Sequence, residues 1–363
     1  INLCCRLTHK SLRIAWMEDR IEAPKPKQEG ARTEVLALRA TLKGHEDRVW
    51  SAAWDTNGSR LATCGGDKTI RLWTKDSTGM WTLLQVLDGA HTRTVRNVTW
   101  SPCGNYLASA GFDGVAAIWE KSGSGYEVIA TLEGHSNEVK CIAWSPNGNL
   151  IATCSRDKSI WIWECEEDGD YACVSVLNGH TQDVKFIQWH PSGTLLFSCS
   201  YDNTIRIWIE DPSDDDWMCI HTISGGHSST IWQLAFDPNS NGDRFVSCSD
   251  DKALVTWVRE DVSSSSSADV SSSSSAGGKA QSVRSDLTIA YKAESITPVG
   301  CRTLYGVDWS KDGYIAVASG DNSIRVFAEL PSLGSEKKRK IDDRKSASKG
   351  QTDDSMEVDE GGG

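Results

Sequence analysis

Residues Gly134–Trp163 read GHSNEVKCIAWSPNGNLIATCSRDKSIWIW, a phrase that recurs about every 45 residues along the chain. It holds a Gly-His pair, an apolar segment ending in Trp, a Pro/Gly turn, a second apolar segment, an Asp and a closing Trp. Five copies carry the three marker residues: His45–Asp67–Trp73, His91–Asp113–Trp119, His135–Asp157–Trp163, His180–Asp202–Trp208 and His227–Asp251–Trp257. The Asp follows the His by 22 residues in four copies and by 24 in the fifth, and the Trp follows the Asp by 6 in all five. A sixth copy keeps Trp309, Asp321 and Phe327 without the His.

This period, with its Gly-His and Trp marks, is typical of WD40 repeats, which supply four strands to each blade of a β-propeller. The sequence therefore predicts an all-β WD40 β-propeller with six recognisable repeats. Since a repeat array closes into one ring, we expect one propeller domain over residues 34–330, with a Ser-rich loop at 262–284. Residues 1–33 are predicted to be a disordered or non-native extension, and residues 331–363 a disordered, charged tail.

The array is one repeat short of seven, the usual number for this repeat. Either a ring of six blades closes, or the last blade is missing, and the lack of strand alternation in 331–363 favours the second. The segment Val35–Leu42 alternates as a strand does and directly precedes the first Gly-His. In propellers of this kind such a strand completes the last blade, so we expect it to lack a partner here.

Charge and cysteine usage limit the function classes. A net charge of −12 argues against direct binding to nucleic acid or anionic membranes. No apolar run approaches the ~20 residues that span a bilayer, which predicts a soluble protein. Cys64, Cys154, Cys199 and Cys248 occupy one slot of successive repeats and are predicted to be buried, reduced thiols. No C-x-x-C motif occurs, so we expect neither a metal site nor a cofactor.

A Ser or Thr four residues before each Asp suggests a hydrogen-bonded set of four side chains in each repeat. These sets are His45, Thr63, Asp67 and Trp73; His91, Ser109, Asp113 and Trp119; His135, Thr153, Asp157 and Trp163; His180, Ser198, Asp202 and Trp208; and His227, Ser247, Asp251 and Trp257. Five copies around a ring do not resemble one activated nucleophile with an oxyanion hole, and no nucleotide-binding motif occurs. The sequence therefore favours a structural role for these sets and a protein without catalytic residues. The sixth repeat has Val317 and Phe327 at two of these positions, and its blade is expected to be the weakest.

Function is then expected in solvent-facing positions that differ between repeats. Two slots on the narrow top face of such propellers qualify: the fifth residue after the His, and the residue before the Asp. They contain the predicted partner-binding residues Trp50, Arg96, Phe112, Lys140, Arg156, Lys185, Tyr201, Trp232 and Tyr305. Arg and large aromatic residues are frequent interface anchors, and this mixture suits a short acidic or carboxylate-ended peptide that carries an aromatic residue. The alternative is that these Lys and Arg side chains are only solvated groups at the rim of the top face and bind no partner.

Some residues go beyond the shared repeat frame: Ser101-Pro-Cys-Gly-Asn-Tyr-Leu-Ala-Ser109, Leu132-Glu-Gly-His135, Asn137-Glu-Val-Lys140, Ala152-Thr-Cys-Ser-Arg-Asp-Lys-Ser159, Val174-Ser-Val-Leu-Asn178 and His180-Thr-Gln-Asp-Val-Lys185. With them the chain resembles the WD40 protein of the cytosolic iron–sulfur protein assembly machinery, over about residues 35–327. The resemblance implies a non-enzymatic scaffold of the complex that targets clusters to cytosolic and nuclear apo-proteins. The implied partners are a small assembly protein with a reactive Cys, a HEAT-repeat adaptor, and apo-protein clients, several with an acidic-aromatic C-terminal tripeptide. In that family an Arg of a Ser-Arg-Asp-Lys motif on the top face is functionally important, and Arg156 matches it.

Two other classes of WD40 adaptor remain open at this stage. A ubiquitin-ligase substrate receptor or signalling propeller would use the same top face for a different peptide. A chromatin-associated propeller would use the basic run Lys337–Lys340 as a nuclear import signal, although a solvated tail explains that run equally well. The expected location is the cytoplasm, with the nucleus as a second location.

Overall fold

The computed structural model describes residues 11–16, 37–165, 170–211, 216–260, 289–300 and 302–328. Within these ranges the chain forms strands and turns and no helix. Consequently, no membrane-spanning helix is present in the described part of the chain. Residues Ile1–Val326 form one compact unit; of a second unit, Phe327–Gly363, only the first two residues are described.

Twenty-five strands are described, and they group by repeat. The first two are β1 (Ser11–Trp16) and β2 (Ala37–Lys43). Blade 1 contains β3 (Val49–Trp54), β4 (Arg60–Gly65), β5 (Ile70–Lys75) and β6 (Trp81–Leu87). Blade 2 contains β7 (Val95–Trp100), β8 (Tyr106–Gly111), β9 (Ala116–Ser122) and β10 (Gly125–Leu132). Blade 3 contains β11 (Val139–Trp144), β12 (Leu150–Ser155), β13 (Ile160–Cys165) and β14 (Tyr171–Leu177).

The remaining three blades follow the same plan. Blade 4 contains β15 (Val184–Trp189), β16 (Leu195–Ser200), β17 (Ile205–Asp211) and β18 (Asp216–Ile223). Blade 5 contains β19 (Ile231–Phe236), β20 (Arg244–Ser249), β21 (Ala253–Glu260) and β22 (Ala290–Pro298). Blade 6 contains β23 (Leu304–Trp309), β24 (Tyr314–Ser319) and β25 (Ile324–Ala328).

Each of the first five blades is a four-stranded antiparallel sheet whose strands pair in chain order, and blade 6 is a three-stranded sheet. The described residues thus form the predicted all-β propeller, with six blades. The first strand of each blade packs against the first strand of the next, from β3 to β23. In contrast, the described residues of β23 and β3 share no comparable packing. That a seventh blade is missing between them stays a prediction.

The core lies between the blades. Because a neighbouring blade covers each face, the second strand of a blade is buried along nearly its whole length, as in β16. Indole N–H groups connect neighbouring blades: Trp100 Nε1 donates to the Ala53 carbonyl at 3.0 Å and Trp189 Nε1 to the Ala143 carbonyl at 3.1 Å. The four cysteines of the repeated slot are fully buried and form no disulfide, as predicted.

The prediction that the N-terminal strand lacks a partner is wrong. Strand β2, expected without a partner, pairs antiparallel with β1 in a separate two-stranded sheet, with Ser11 opposite Lys43. The backbone of β1 can satisfy the open hydrogen-bonding edge of β2. The extension 1–33 therefore contributes one strand, whereas the Ser-rich loop 262–284 and the tail 331–363 lie outside the described residues.

Candidate functional site

The four predicted polar side chains of each repeat lie together in blades 1 to 5. In blade 4 the Trp208 Nε1 donates to Ser198 Oγ at 2.9 Å, and the hydroxyl lies 2.7 Å from His180 Nε2. The His180 Nδ1 lies 2.8 Å from Asp202 Oδ2. The same three contacts recur around Thr63, Ser109, Thr153 and Ser247 at 2.7–3.3 Å.

The direction of these bonds follows from the groups themselves. A carboxylate can only accept, so the His Nδ1 carries the proton and donates to the Asp. The neutral Nε2 then accepts from the hydroxyl, whose oxygen already accepts from the indole. In blade 4 the Ser198 hydroxyl is fully buried, so it cannot reach a substrate. This geometry stabilises each blade and offers no free nucleophile.

The Asp carboxylates depend on this network for their charge. Burial alone would raise the pKa of Asp67, but bonds from His45 and from the Glu46 N–H outweigh burial and lower it to about 2. The pKa of Asp251 is lowered to about 2 by the same balance, with His227 as its principal partner. Burial also lowers the pKa of His180, which keeps that ring neutral.

Blade 6 replaces the missing His by an arginine that the repeat pattern does not reveal. Asp321 accepts from Arg325 at 2.7 Å, and both residues are on the surface side of the blade. Val317 occupies the position of the Ser or Thr and is fully buried. An Arg–Asp pair thus holds the turn, and the chain from carboxylate to indole is absent among the described residues of blade 6.

In every blade a backbone hydrogen bond ties the slot before the Asp to the residue two positions before the other slot. In blade 3 the Arg156 N–H donates to the Glu138 carbonyl at 3.0 Å, and in blade 4 the Tyr201 N–H donates to the Asp183 carbonyl at 2.9 Å. The other four are Gly66 to Arg48, Phe112 to Thr94, Asp250 to Thr230 and Gly320 to Thr303, at 2.8–2.9 Å. Since both slots are fixed to one frame, their side chains vary on an unchanged backbone.

The first half of the predicted surface alternates rings and cations across blade boundaries. The guanidinium of Arg96 lies 5.2 Å from the Trp50 ring centroid, and the Trp50 and Phe112 rings lie 6.2 Å apart. Lys140 Nζ lies 4.1 Å from the Phe112 ring centroid. Arg96 and Lys140 therefore each contact a ring of the preceding blade, an arrangement that favours both the cation and the ring.

The second half continues the row through blades 4 to 6. Lys185 Nζ lies 5.2 Å from the Tyr201 ring and 5.3 Å from the Trp232 ring. Trp232 and Tyr305 meet edge-on at 5.1 Å. The structure thus places eight of the nine predicted partner-binding residues in one row, and Arg156 joins it through Glu138, a residue outside both slots.

Glu138 is the centre of a cation cluster that the slots do not predict. Its carboxylate lies 2.9 Å from Lys140 Nζ, 3.3 Å from an Arg156 terminal nitrogen and 3.3 Å from one of Arg93. Asp183 repeats the first contact in blade 4, at 2.9 Å from Lys185 Nζ. The sequence did contain a signal for the acids, because Glu138 and Asp183 come directly before β11 and β15, each two residues before the slot lysine.

Electrostatics divide these groups by role. Burial would raise the pKa of Glu138, but Lys140 and Arg156 outweigh it and lower the pKa. Burial lowers the pKa of Lys140; its bond to Glu138 opposes this, while Lys185 and Arg96 add repulsion. Three cations, Arg93, Lys140 and Arg156, lie within 3.3 Å of the Glu138 carboxylate. The cluster can therefore hold an anion next to aromatic rings.

A cavity away from the top face is a further place that a ligand could occupy. A cavity of about 300 Å³ lies among the inner strands, with Cys141, Gln188 and Asp308 in its lining. Burial raises the pKa of Asp308, which favours its neutral form there. Among the described residues, no group of three or more His, Cys, Asp or Glu side chains is arranged to hold a metal ion.

Comparison with known proteins agrees with the repeats and with the resemblance. The family model described as WD domain, G-beta repeat, matches residues 37–74, 81–120, 126–164, 171–208, 217–257 and 297–327. The chain is 52% identical to the probable cytosolic iron-sulfur protein assembly protein CIAO1 homolog of Chlamydomonas reinhardtii, over 80% of this chain and 83% of that protein. It is 46% identical to the probable Ciao1 of Culex quinquefasciatus, over 81% and 83%. It is 44% identical to the probable cytosolic iron-sulfur protein assembly protein 1 of Yarrowia lipolytica, over 81% and 86%. The chain is therefore a WD40-repeat protein that belongs to the CIAO1 family of cytosolic iron–sulfur protein assembly proteins.

Proposed function

We propose that this protein is a non-enzymatic scaffold of cytosolic iron–sulfur protein assembly, which helps to deliver clusters to apo-proteins through protein–protein contacts. The family and its cytosolic relatives support the role and a cytoplasmic location. A buried hydroxyl in each polar set, as at Ser198, fits a protein whose repeated polar residues serve stability.

The observation that carries the binding part of the proposal is the row of rings and cations on the top face. A chain with a net charge of −12 here concentrates Arg96, Lys140, Arg156 and Lys185 among aromatic rings. Such a row can bind the carboxylate and the aromatic side chain of a short peptide together. Nucleic acid is a poor fit, because the rest of the chain would repel phosphates.

The proposed partners are a small assembly protein with a reactive Cys, a HEAT-repeat adaptor and apo-protein clients. A tagged pull-down from cytosol tests this, with wild type beside Arg156→Glu and partners read by mass spectrometry. Arg259→Glu is the matched control. Arg259 pairs with Asp243, which precedes the start of β20, whereas the top-face slot of that blade follows the end of β20. We expect iron–sulfur assembly proteins with wild type and the control, and the loss of some with Arg156→Glu.

Other results would contradict the proposal. Partners from ubiquitin ligation, signalling or chromatin, without assembly proteins, would replace the scaffold role by another WD40 adaptor role. Equal recovery of assembly proteins by all three chains would keep the scaffold and discard Arg156 as an anchor. Turnover of any nucleotide or cofactor by the purified chain would refute the non-enzymatic assignment.

A further inference from the structure

Arg93 is a top-face cation outside both slots, two residues after the His of blade 2. One terminal nitrogen donates to the Phe112 carbonyl at 2.5 Å, and the other lies 3.3 Å from Glu138 Oε1. The carbonyl contact fixes the guanidinium plane at the boundary between blades 2 and 3. Its side chain is nevertheless 57% exposed.

Arg156 approaches the same carboxylate from the other side. Its terminal nitrogen lies 3.3 Å from Glu138 Oε2, and its side chain is 54% exposed. Glu138 therefore sits between two guanidiniums, one on each oxygen. It sets their spacing without using most of their donors, since an Arg offers five N–H groups.

Lys140 has a different position from the two arginines. It is largely buried, stacks on Phe112 and makes the shortest bond to Glu138, at 2.9 Å. One carboxylate balances only one of the three positive charges that surround it. The count is three cations against one carboxylate, so a second anion is favoured.

The fit for a carboxylate is visible in the structure itself, because the Glu138 side chain is one. A planar guanidinium matches a carboxylate through two parallel N–H bonds, and a pair of guanidiniums binds it from both sides. The neighbouring rings of Phe112 and Trp50 favour a peptide over a free inorganic anion.

We propose that Arg93 and Arg156 form a paired-guanidinium site for one carboxylate of the partner peptide, with Glu138 as the spacer and Lys140 as a positioning residue. This rests on the proposed function, in that a peptide docks on the top face. It adds Arg93 as a ligand-binding residue and withdraws Lys140 from direct contact with the ligand.

The test uses the full chain and a fluorescein-labelled synthetic peptide that ends in Asp-Trp with a free carboxylate. Two altered peptides remove one carboxylate each: Asn-Trp with a free carboxylate, and Asp-Trp with a C-terminal amide. Fluorescence anisotropy gives Kd for wild type, Arg93→Gln, Arg156→Gln and the charge-matched control Arg259→Gln. Far-UV circular dichroism and thermal unfolding show that each variant is folded.

We expect Arg93→Gln and Arg156→Gln each to weaken binding about 10-fold or more, with Arg259→Gln close to wild type. A double-mutant cycle should couple Arg93 to one peptide carboxylate and leave the other uncoupled. Lys140→Met, which keeps the packing on Phe112, should weaken binding less than either arginine variant.

Three outcomes would overturn the site. Arg93→Gln could bind the peptide as tightly as Arg259→Gln does. The double-mutant cycle could also show no coupling of Arg93 to either carboxylate, or equal coupling to both, and equal coupling would indicate only long-range attraction. Wild type could also fail to bind the peptide. The pull-down tests the scaffold proposal separately. If Arg93→Gln recovers the assembly partners and Arg156→Glu loses them, the scaffold proposal stands and the paired-guanidinium site is rejected.

Discussion

Removal of one buried hydroxyl should destabilise a whole blade. In Ser198→Ala the indole of Trp208 loses its acceptor at 2.9 Å and His180 loses its donor at 2.7 Å. Neither group can turn to water, because the site is fully buried around Ser198. A buried polar group without a partner costs about 1–3 kcal/mol, so two such groups predict a loss of about 2–6 kcal/mol in the free energy of unfolding.

This loss is a large share of the ~5–15 kcal/mol typical of a folded protein. Urea unfolding followed by Trp fluorescence and circular dichroism measures it as a lower transition midpoint. Ser136→Ala is the matched control, since Ser136 is exposed and such a change stays within about 0.5 kcal/mol. Ser198→Thr should restore most of the stability, because blades 1 and 3 have Thr63 and Thr153 at this position. A midpoint for Ser198→Ala equal to that of Ser136→Ala would refute the reasoning.

Three further predictions concern pH, blade 6 and the thiols. Asp67 and Asp251 have pKa values of about 2, below the usual 3.8, so the hydrogen bonds to their carboxylates stabilise the fold above pH 4 and are lost as the pH falls towards 2. The loss should be about 2 kcal/mol for each, read from urea midpoints between pH 2 and 5, and Asp251→Asn should flatten the profile; a slope unchanged in that variant would contradict this. Strand β24 should exchange its amide hydrogens faster than β20, since blade 6 lacks the chain of polar side chains; equal protection in hydrogen-exchange mass spectrometry would contradict it. Burial raises the pKa of Cys154 and Cys199, so iodoacetamide at pH 8 should label the exposed Cys103 well before these two, as mapped by mass spectrometry; early labelling of Cys154 would mean that the blades open locally.

The repeat frame could be predicted from the sequence because its spacings are fixed by geometry. The interval from His180 to Asp202 corresponds to one inner hairpin, and the interval to Trp208 to the next turn and strand. The same frame located both slots, since they are counted from the His and the Asp. Within a blade, therefore, the position of a residue along the chain was enough to predict its place in the polar set or in a slot.

Contacts between blades could not be counted in this way. Arg93 reaches Glu138 only because blades 2 and 3 are adjacent at the height of the top face. Arg325 took the place of a His from four residues beyond Asp321, which no repeat pattern describes. The pairing of β1 with β2 lay outside the repeats altogether.

The row of rings and cations has a mechanical consequence. Lys140 of blade 3 lies on Phe112 of blade 2, and Lys185 of blade 4 lies on Trp232 of blade 5, so the surface proposed to bind a partner also joins neighbouring blades. A peptide bound to both Arg93 and Arg156 would connect blade 2 to blade 3 and oppose the separation of these two blades. Peptide binding and the packing of neighbouring blades would then be linked equilibria. Separation of blades 2 and 3 would release the bound peptide.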